Sequence, residues 1–337
     1  MQDQRRQKAK VIFKKKAALL SALVFALALL YTLTLIFDLQ AGSSGLSVRR
    51  GRSFAWLDQS MLDHADRIEL YGPLGVTTLS RRNNVWVCPQ GNVDYPVKQA
   101  RVGDLLASLS RREAYSLRVA SLEGRERLGV TAEAASRIRI RGGAGLPLLD
   151  LLVGYSDALG TEVYLRKADS SEVYSGEDHF TLYTDSRPGT WYDLRLFPSD
   201  SPRAIEAWMV QQVEILLPGN EDETNSGNEY FTISRKGGGW VNQSNQGLDI
   251  IRVETWLRSL IEAEGESFSM ETPDVTEGMI TIHLGDGTSR IIRTGPPDEG
   301  NRRIALVSGS TLAYVLNQWS VSRLFREHSY FQELTIQ

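Results

Sequence analysis

The chain of 337 residues contains few of the side chains that metal sites and nucleophilic catalysis require. Its only cysteine is Cys88, so neither an intrachain disulfide nor a cysteine-based zinc site can form. No HExxH pair occurs, and no two of the four histidines are four residues apart. Phosphate-loop and nucleophile-elbow motifs are also missing in a suitable context. The sequence therefore predicts no enzyme, no cofactor and no metal site.

Acidic residues are scarce in the first 37 residues, whereas they outnumber basic residues in the rest of the chain. Residues 1–37 hold seven Lys or Arg and one acidic residue, which gives +6, whereas the remainder holds 31 basic and 40 acidic residues, which gives −9. Phosphate binding needs basic side chains where the contact is made. An acidic body behind a basic tip therefore argues against nucleic acid as a partner.

One long apolar run is present, AALLSALVFALALLYTLTLIF at 17–37. These 21 uncharged residues span about 31 Å as a helix, which matches the roughly 30 Å hydrocarbon core of a bilayer. Seven basic residues precede the run, so the positive-inside rule predicts a cytoplasmic N-terminus, with the body periplasmic or extracellular. A cleaved signal peptide is the alternative, but its apolar region is only about 7–15 residues long.

The body of the chain contains an internal repeat. TISRKGGGWV (232–241) closely matches TLSRRNNVWV (78–87), and RVETWLRSL (252–260) matches RVGDLLASL (101–109). WSVSRLF (319–325) matches WYDLRLF (191–197), and QQVEI (211–215) loosely matches DRIEL (66–70). Because the pieces keep the same order, they indicate two diverged copies of one module.

Each copy is predicted to be an α+β unit. A first strand leads into a hairpin, which turns at Asn83-Asn84 in copy one and near Gly237–Gly239 in copy two, where positive φ is tolerated. An amphipathic helix follows, with Asp104 or Glu254 expected in its first turn. Later segments such as SRIRIR alternate apolar and polar residues, which is typical of a sheet with one buried face. The fold class is thus α+β, with mostly antiparallel sheets and a covering helix on each.

These patterns divide the chain into six parts. They are a basic cytoplasmic tail (1–16), a transmembrane helix (17–37), a linker (38–59), repeat module 1 (60–198), repeat module 2 (199–326) and a C-terminal tail (327–337). Module 2 includes a connecting helix at 201–212.

The repeated motifs resemble a bacterial family of unknown function, DUF4340. The resemblance is carried by the hairpin ends and by the R-V-x-x-[LW]-L-x-S-L helices, that is, by Arg82, Trp86 and Val87, by Arg235, Trp240 and Val241, and by 101–109 and 252–260. It covers most of residues 60–326 and implies one N-terminal span followed by a repeated extracytoplasmic body. It implies no catalysis. Because members often accompany ABC-type transporters resembling gliding-motility export systems, it implies transporter subunits as partners.

Two sets of residues are candidates for contact with a ligand or partner. Arg81 and Arg82 in copy one correspond to Arg235 and Lys236 in copy two, and these basic pairs could bind an anionic group. The alternative is that hairpin edges carry Lys and Arg to block edge pairing. Tryptophans also recur, as Trp86 with Trp240 and Trp191 with Trp319, and recurrence at repeat positions favours the core over an exposed groove.

We therefore expect a non-enzymatic membrane protein. It would contact the lipid bilayer through residues 17–37 and act as an accessory or scaffold of a bacterial envelope complex with an ABC-type export system. The alternative is an extracytoplasmic module that binds envelope glycan or peptide. A hydrolase acting on the envelope is a third class, for which no nucleophile and base pair is visible in the sequence.

Overall fold

The computed structural model describes residues 52–119, 122–219, 229–273 and 275–332. The predicted basic tail, the predicted transmembrane segment and the linker up to residue 51 lie outside these ranges. Within the described ranges, no helix is both long enough and apolar enough to cross a membrane.

The described residues form an α+β protein with 18 strands and four α-helices. The strands up to residue 177 are β1 (Arg52–Phe54), β2 (Ala65–Gly72), β3 (Gly75–Arg82), β4 (Val85–Gln90), β5 (Val93–Pro96), β6 (Glu113–Val119), β7 (Ser136–Gly142), β8 (Pro147–Ser156), β9 (Glu162–Lys167) and β10 (Val173–Glu177). The later strands are β11 (Val210–Leu216), β12 (Tyr230–Lys236), β13 (Gly239–Asn242), β14 (Ser267–Ser269), β15 (Gly278–Leu284), β16 (Ser289–Pro297), β17 (Arg303–Val307) and β18 (Ala313–Leu316). The helices are α1 (Gln99–Ser110), α2 (Leu122–Arg127), α3 (Ile250–Ile261) and α4 (Gln318–Leu324).

The chain forms two compact units. The first contains the described residues up to Arg81 together with Val102–Ser186, and the second contains Arg82–Arg101 together with the described residues from Arg187 onward. Each unit has its own set of buried apolar side chains.

In the first unit, eight strands run in the order β1-β6-β10-β9-β8-β7-β2-β3, with every neighbouring pair antiparallel. Alternation along β2 and β7 buries one face of the sheet, as the period of two requires. The apolar side chains of that face and of α1 are fully buried: Ile68, Leu70, Ile138, Ile140, Val102, Leu105 and Leu109. The opposite face carries charged side chains.

In the second unit, the strand order is β13-β12-β11-β15-β16-β17-β18-β14. The apolar stripe of α3 belongs to one core cluster with the buried face of this sheet, and its four buried residues are Val253, Trp256, Leu257 and Leu260. Strands β4 and β5 of the same unit pair with each other. The segment predicted as a tail contributes too, because Phe331 is fully buried and its carbonyl accepts a hydrogen bond from the Asp249 amide at 2.9 Å.

The two units share one topology. The order β6-β10-β9-β8-β7-β2-β3 in the first corresponds strand by strand to β14-β18-β17-β16-β15-β11-β12 in the second. In the first unit β2 and β3 precede helix α1 in the chain, and in the second β11 and β12 precede α3. The other five strands of each set follow the helix. Agreement in spatial order and in chain order is what a duplicated module produces.

Local details confirm some sequence expectations and correct others. Both turn residues of copy one, Asn83 and Asn84, have positive φ (50° and 67°), as do Gly237 and Gly238 (57° and 83°). The prediction that Asp104 and Glu254 lie in the first turn of their helices is wrong. Helix α1 begins at Gln99 and α3 at Ile250, so both residues lie beyond the first turn. In α3 the orphan amides are instead satisfied by the N-cap carboxylate of Asp249, which accepts from the backbone of Ile251 and Arg252. The connecting segment forms a single 3₁₀ turn at Ala207–Met209, not a longer helix.

Candidate functional site

The predicted basic pair of copy one lies at the end of β3. The Arg81 guanidinium donates to the carbonyl of Asp63 at 3.2 Å. Arg82 is more exposed and forms an ion pair with Asp94, with Nη1 2.6 Å from Oδ2. Both side chains therefore have acceptors within the chain.

The equivalent pair of copy two is held by a different set of contacts. The Arg235 guanidinium stacks 4.6 Å from the ring centroid of Trp240 and lies 3.1 Å from the Glu254 carboxylate. The Trp240 indole N–H donates to the same carboxylate oxygen at 2.8 Å. Lys236 donates to the Asn245 side chain at 3.0 Å. These contacts fix the hairpin end, and partner contact by the four basic residues stays a prediction.

The repeated tryptophans divide into a buried group and one exposed residue. Trp86, Trp240 and Trp191 are buried, as expected, whereas Trp319 is 64% exposed, so the core assignment is wrong for Trp319. The physical reason is the local structure: residues 318–324 form helix α4. Five positions along a helix correspond to about 140° around its axis. With Leu324 buried in the core, Trp319 therefore faces solvent.

Trp319 lines a groove of about 260 Å³ in the second unit, which the two carboxylates of Glu262 and Glu264 also line. The Arg323 guanidinium stacks 4.4 Å from the Trp319 ring centroid and donates to the Ser259 hydroxyl at 3.0 Å. The groove thus combines an exposed aromatic ring with charged groups of both signs. Such a combination suits a small polar ligand or a single protruding side chain.

A larger groove, about 460 Å³, lies beside β1 in the first unit. Phe54, Trp56 and Tyr174 contribute aromatic rings to it, with the Phe54 centroid 5.0 Å from that of Trp56 and 5.2 Å from that of Tyr174. Arg52 and Lys167 bring positive charge to the same groove.

The open face of the first sheet carries a row of arginines. Arg137, Arg139 and Arg141 alternate with buried isoleucines along β7, and Arg67 lies on the neighbouring strand β2. Together we call these four residues the arginine face. Two carboxylates lie among them, on β2 and β8, from Glu69 and Asp150.

The carboxylates of Glu69 and Asp150 are held ionised by these neighbours. Burial alone would raise the pKa of Glu69, but the Tyr71 hydroxyl and the guanidinium groups of the face outweigh it and leave that pKa lowered. The pKa of Asp150 is also lowered, because the Arg137 fork and the charge of Arg139 outweigh its burial. Arg137 donates to both oxygens of Asp150 at 2.5 Å, which is the bidentate geometry that a guanidinium favours.

The second sheet places a glutamate at the equivalent strand position but gives it other partners. Glu214 accepts from Gln212 at 3.1 Å and lies 2.9 Å from Nε2 of His283. The other ring nitrogen of His283 is 3.0 Å from the hydroxyl of Ser289. His283 lies on β15, and the register of β11, β15 and β16 brings the three side chains together.

Cys88 is buried and unpaired. Its burial raises the pKa of the thiol to about 11, although a hydrogen bond with Tyr192 acts in the opposite direction. A thiol with that pKa is a poor nucleophile at neutral pH. Among the described residues, no group of three or more His, Cys, Asp or Glu side chains is arranged to hold a metal ion.

Comparison with known proteins gives one match. A family model described as "Domain of unknown function (DUF4340)" matches residues 86–278, which is more than half of the chain. No curated protein and no solved structure matches.

Proposed function

This chain belongs to the DUF4340 family, and from that premise we propose that it is a non-enzymatic, membrane-anchored accessory or scaffold protein. It would act in a bacterial envelope complex associated with an ABC-type export system. Residues 17–37 would anchor it in the cytoplasmic membrane, and the duplicated body would lie outside the cytoplasm.

The observation that carries this proposal is the duplicated sheet with one open polar face in each unit. In both units the apolar face of the sheet belongs to a core, while the other face presents charged and polar side chains. Two polar faces on one anchored chain offer two surfaces for protein contact. The proposed association with a transporter rests on the family resemblance and on the predicted N-terminal span.

Affinity purification of the detergent-solubilised full-length protein tests the proposal. We expect transporter or other envelope subunits to co-purify in several detergents. Recovery of the chain alone, in every detergent that keeps it folded, would count against a scaffold role.

Charge reversal at the hairpin ends tests the predicted contact residues in the same assay. Arg82→Glu with Lys236→Glu changes the two exposed positions and spares the half-buried Arg81 and Arg235. Arg112→Glu with Arg302→Glu is a matched control, because it reverses the same number of charges at two other exposed positions. Loss of the partner only in the first variant would support contact at the hairpin ends, and equal recovery would remove those residues as contacts.

A second candidate function, binding of envelope glycan or peptide, is favoured by the groove at Trp319. An exposed tryptophan beside carboxylates and a guanidinium can stack on a sugar ring and hydrogen-bond its hydroxyls. Soluble disaccharide-peptide fragments of the cell wall should then change the tryptophan fluorescence, and Trp319→Ala should abolish the response. Trp208→Ala is the control, because Trp208 is 66% exposed and its indole is hydrogen-bonded to Glu206. Equal responses from both variants would eliminate this candidate.

A further inference from the structure

The arginine face of the first sheet has more positive than negative charge. It contains the four guanidinium groups of Arg67, Arg137, Arg139 and Arg141 and two carboxylates, those of Glu69 and Asp150. Asp150 is occupied by the bidentate Arg137 and by Arg139 at 3.3 Å. Glu69 is shared among the remaining groups, with Arg67 at 2.9 Å, Arg139 at 3.4 Å and Arg141 at 3.7 Å.

The excess charge is concentrated at one cross-strand position. Arg67 on β2 lies directly opposite Arg141 on β7 in the strand register. Like charges in opposed positions destabilise a sheet unless an anion lies between them. Glu69 is the only carboxylate within ion-pair distance of either residue in the described part of the chain, and Arg141 is beyond hydrogen-bond distance from it.

Arg67 and Arg141 also remain available for binding. Their side chains are 52% and 35% exposed, the highest values among the four arginines. The Arg141 Nε atom is buried and lacks a hydrogen-bond acceptor within the described residues. Because Nε is buried, an added carboxylate would contact the exposed part of the Arg141 side chain and not this atom.

We propose that the arginine face binds an extended acidic segment of a partner protein, with carboxylates at alternate positions. Alternate residues of a strand lie about 6.6–6.8 Å apart on one side, both in β7 and in an extended peptide. One carboxylate of a Glu-x-Glu-x-Glu segment would lie between Arg67 and Arg141, and the next two would approach Arg139 and Arg137, whose guanidinium groups already contact Asp150. This inference rests on the proposed function only in taking the ligand to be part of a protein.

The second unit lacks this surface although its fold is the same. The register aligns Ile138 and Ile140 with Ile280 and Ile282, so the strand positions of the three arginines of β7 are occupied by Met279, Thr281 and His283. The site therefore belongs to copy one alone, and it is distinct from the hairpin-end pairs that the two copies share.

Fluorescence anisotropy with the detergent-solubilised full-length chain tests this proposal. The probe is a labelled peptide GSESESESG, and the comparison peptide GSSEEESSG has the same composition with its glutamates adjacent. We expect the alternating peptide to bind more tightly. Arg67→Gln with Arg141→Gln should weaken its binding at least about tenfold, since hydrogen bonds to charged groups are lost.

Two further variants separate geometry from charge. Arg112→Gln with Arg302→Gln removes the same charge from exposed positions elsewhere and should leave peptide binding unchanged. Arg67→Lys with Arg141→Lys keeps the charge but removes the forks, and an intermediate affinity is expected. Thermal unfolding of each variant verifies that the fold persists.

Several results would overturn the proposal. They are equal affinity for both peptides, equal weakening by the control variant, or a stronger response to vesicles of anionic lipid than to the alternating peptide. Failure of co-purification with intact peptide binding would refute the accessory role alone. The reverse result would refute the arginine face alone.

Discussion

At the scale of single residues, Cys88 has the most sharply defined chemistry. Because burial raises the pKa of its thiol to about 11, only about one molecule in a thousand carries the thiolate at pH 8. We expect iodoacetamide to leave the native protein unmodified at pH 8 over hours, and to react once guanidinium chloride unfolds it. Mass spectrometry measures the modified fraction.

An exposed cysteine provides the control for that experiment. Ser322 is exposed on α4, so Ser322→Cys should be alkylated once, within minutes, in the folded protein. Rapid double modification of this variant would show that Cys88 is accessible and would contradict its burial.

Glu69 and Asp150 predict a dependence of stability on acid. Both carboxyl groups have a lowered pKa in the folded protein. Their contribution to stability is thus complete above the ordinary carboxyl range, and it is lost as the pH falls through their folded pKa values. We expect the free energy of unfolding to fall as the pH drops from about 5 towards 3.

The Glu69→Gln variant separates this effect from general acid sensitivity. It should lose about 1–3 kcal/mol at pH 7, because three arginines then share no carboxylate there, and should show a flatter acid dependence. The exposed Glu123→Gln on α2 is the control and should behave as the wild type does. Parallel acid profiles for Glu69→Gln and the wild type, measured by urea unfolding, would contradict the assignment.

At the scale of elements, the hairpin turns make a matched pair of predictions. Asn84 has a φ of 67°, a conformation that costs a β-branched residue about 1–2 kcal/mol. Asn84→Val should therefore destabilise the protein by about that amount, and Gly238→Val should do so at the equivalent position of copy two. Asn84→Gly should be neutral or slightly stabilising. Equal unfolding midpoints for Asn84→Val and Asn84→Gly would contradict the turn geometry.

The elements also show how far the sequence could predict the fold. The hairpins, α1 and α3 were predictable, because turn residues and apolar periodicity are local signals. The exposure of Trp319 was not, because WSVSRLF and WYDLRLF match in letters while only the former becomes a helix. Likewise, alternation in SRIRIR predicted a polar face, but its pairing with Glu69 and Asp150 depends on a strand register that composition does not specify.

At the scale of the whole molecule, the shared topology of the two units shows that a repeated phrase does not imply a repeated site. Both copies have the seven-strand order. Both also have a glutamate at the same position of the strand that precedes the hairpin, Glu69 on β2 and Glu214 on β11. The partners of that glutamate diverged, to arginines in one copy and to His283 in the other. The two units thus share a strand order while their open faces differ in chemistry.

The membrane orientation is the last prediction, and it uses the burial of Cys88. With seven basic residues before the apolar run at 17–37, the N-terminus should be cytoplasmic and the body should lie outside. Because Cys88 is buried, single cysteines added at Gln7 or Ser43 can be labelled against a low background. In intact spheroplasts, a membrane-impermeant maleimide should label Ser43→Cys and leave Gln7→Cys unlabelled until the membrane is permeabilised. Labelling of Gln7→Cys before permeabilisation would reverse the orientation, and would remove the extracytoplasmic setting from both proposed functions.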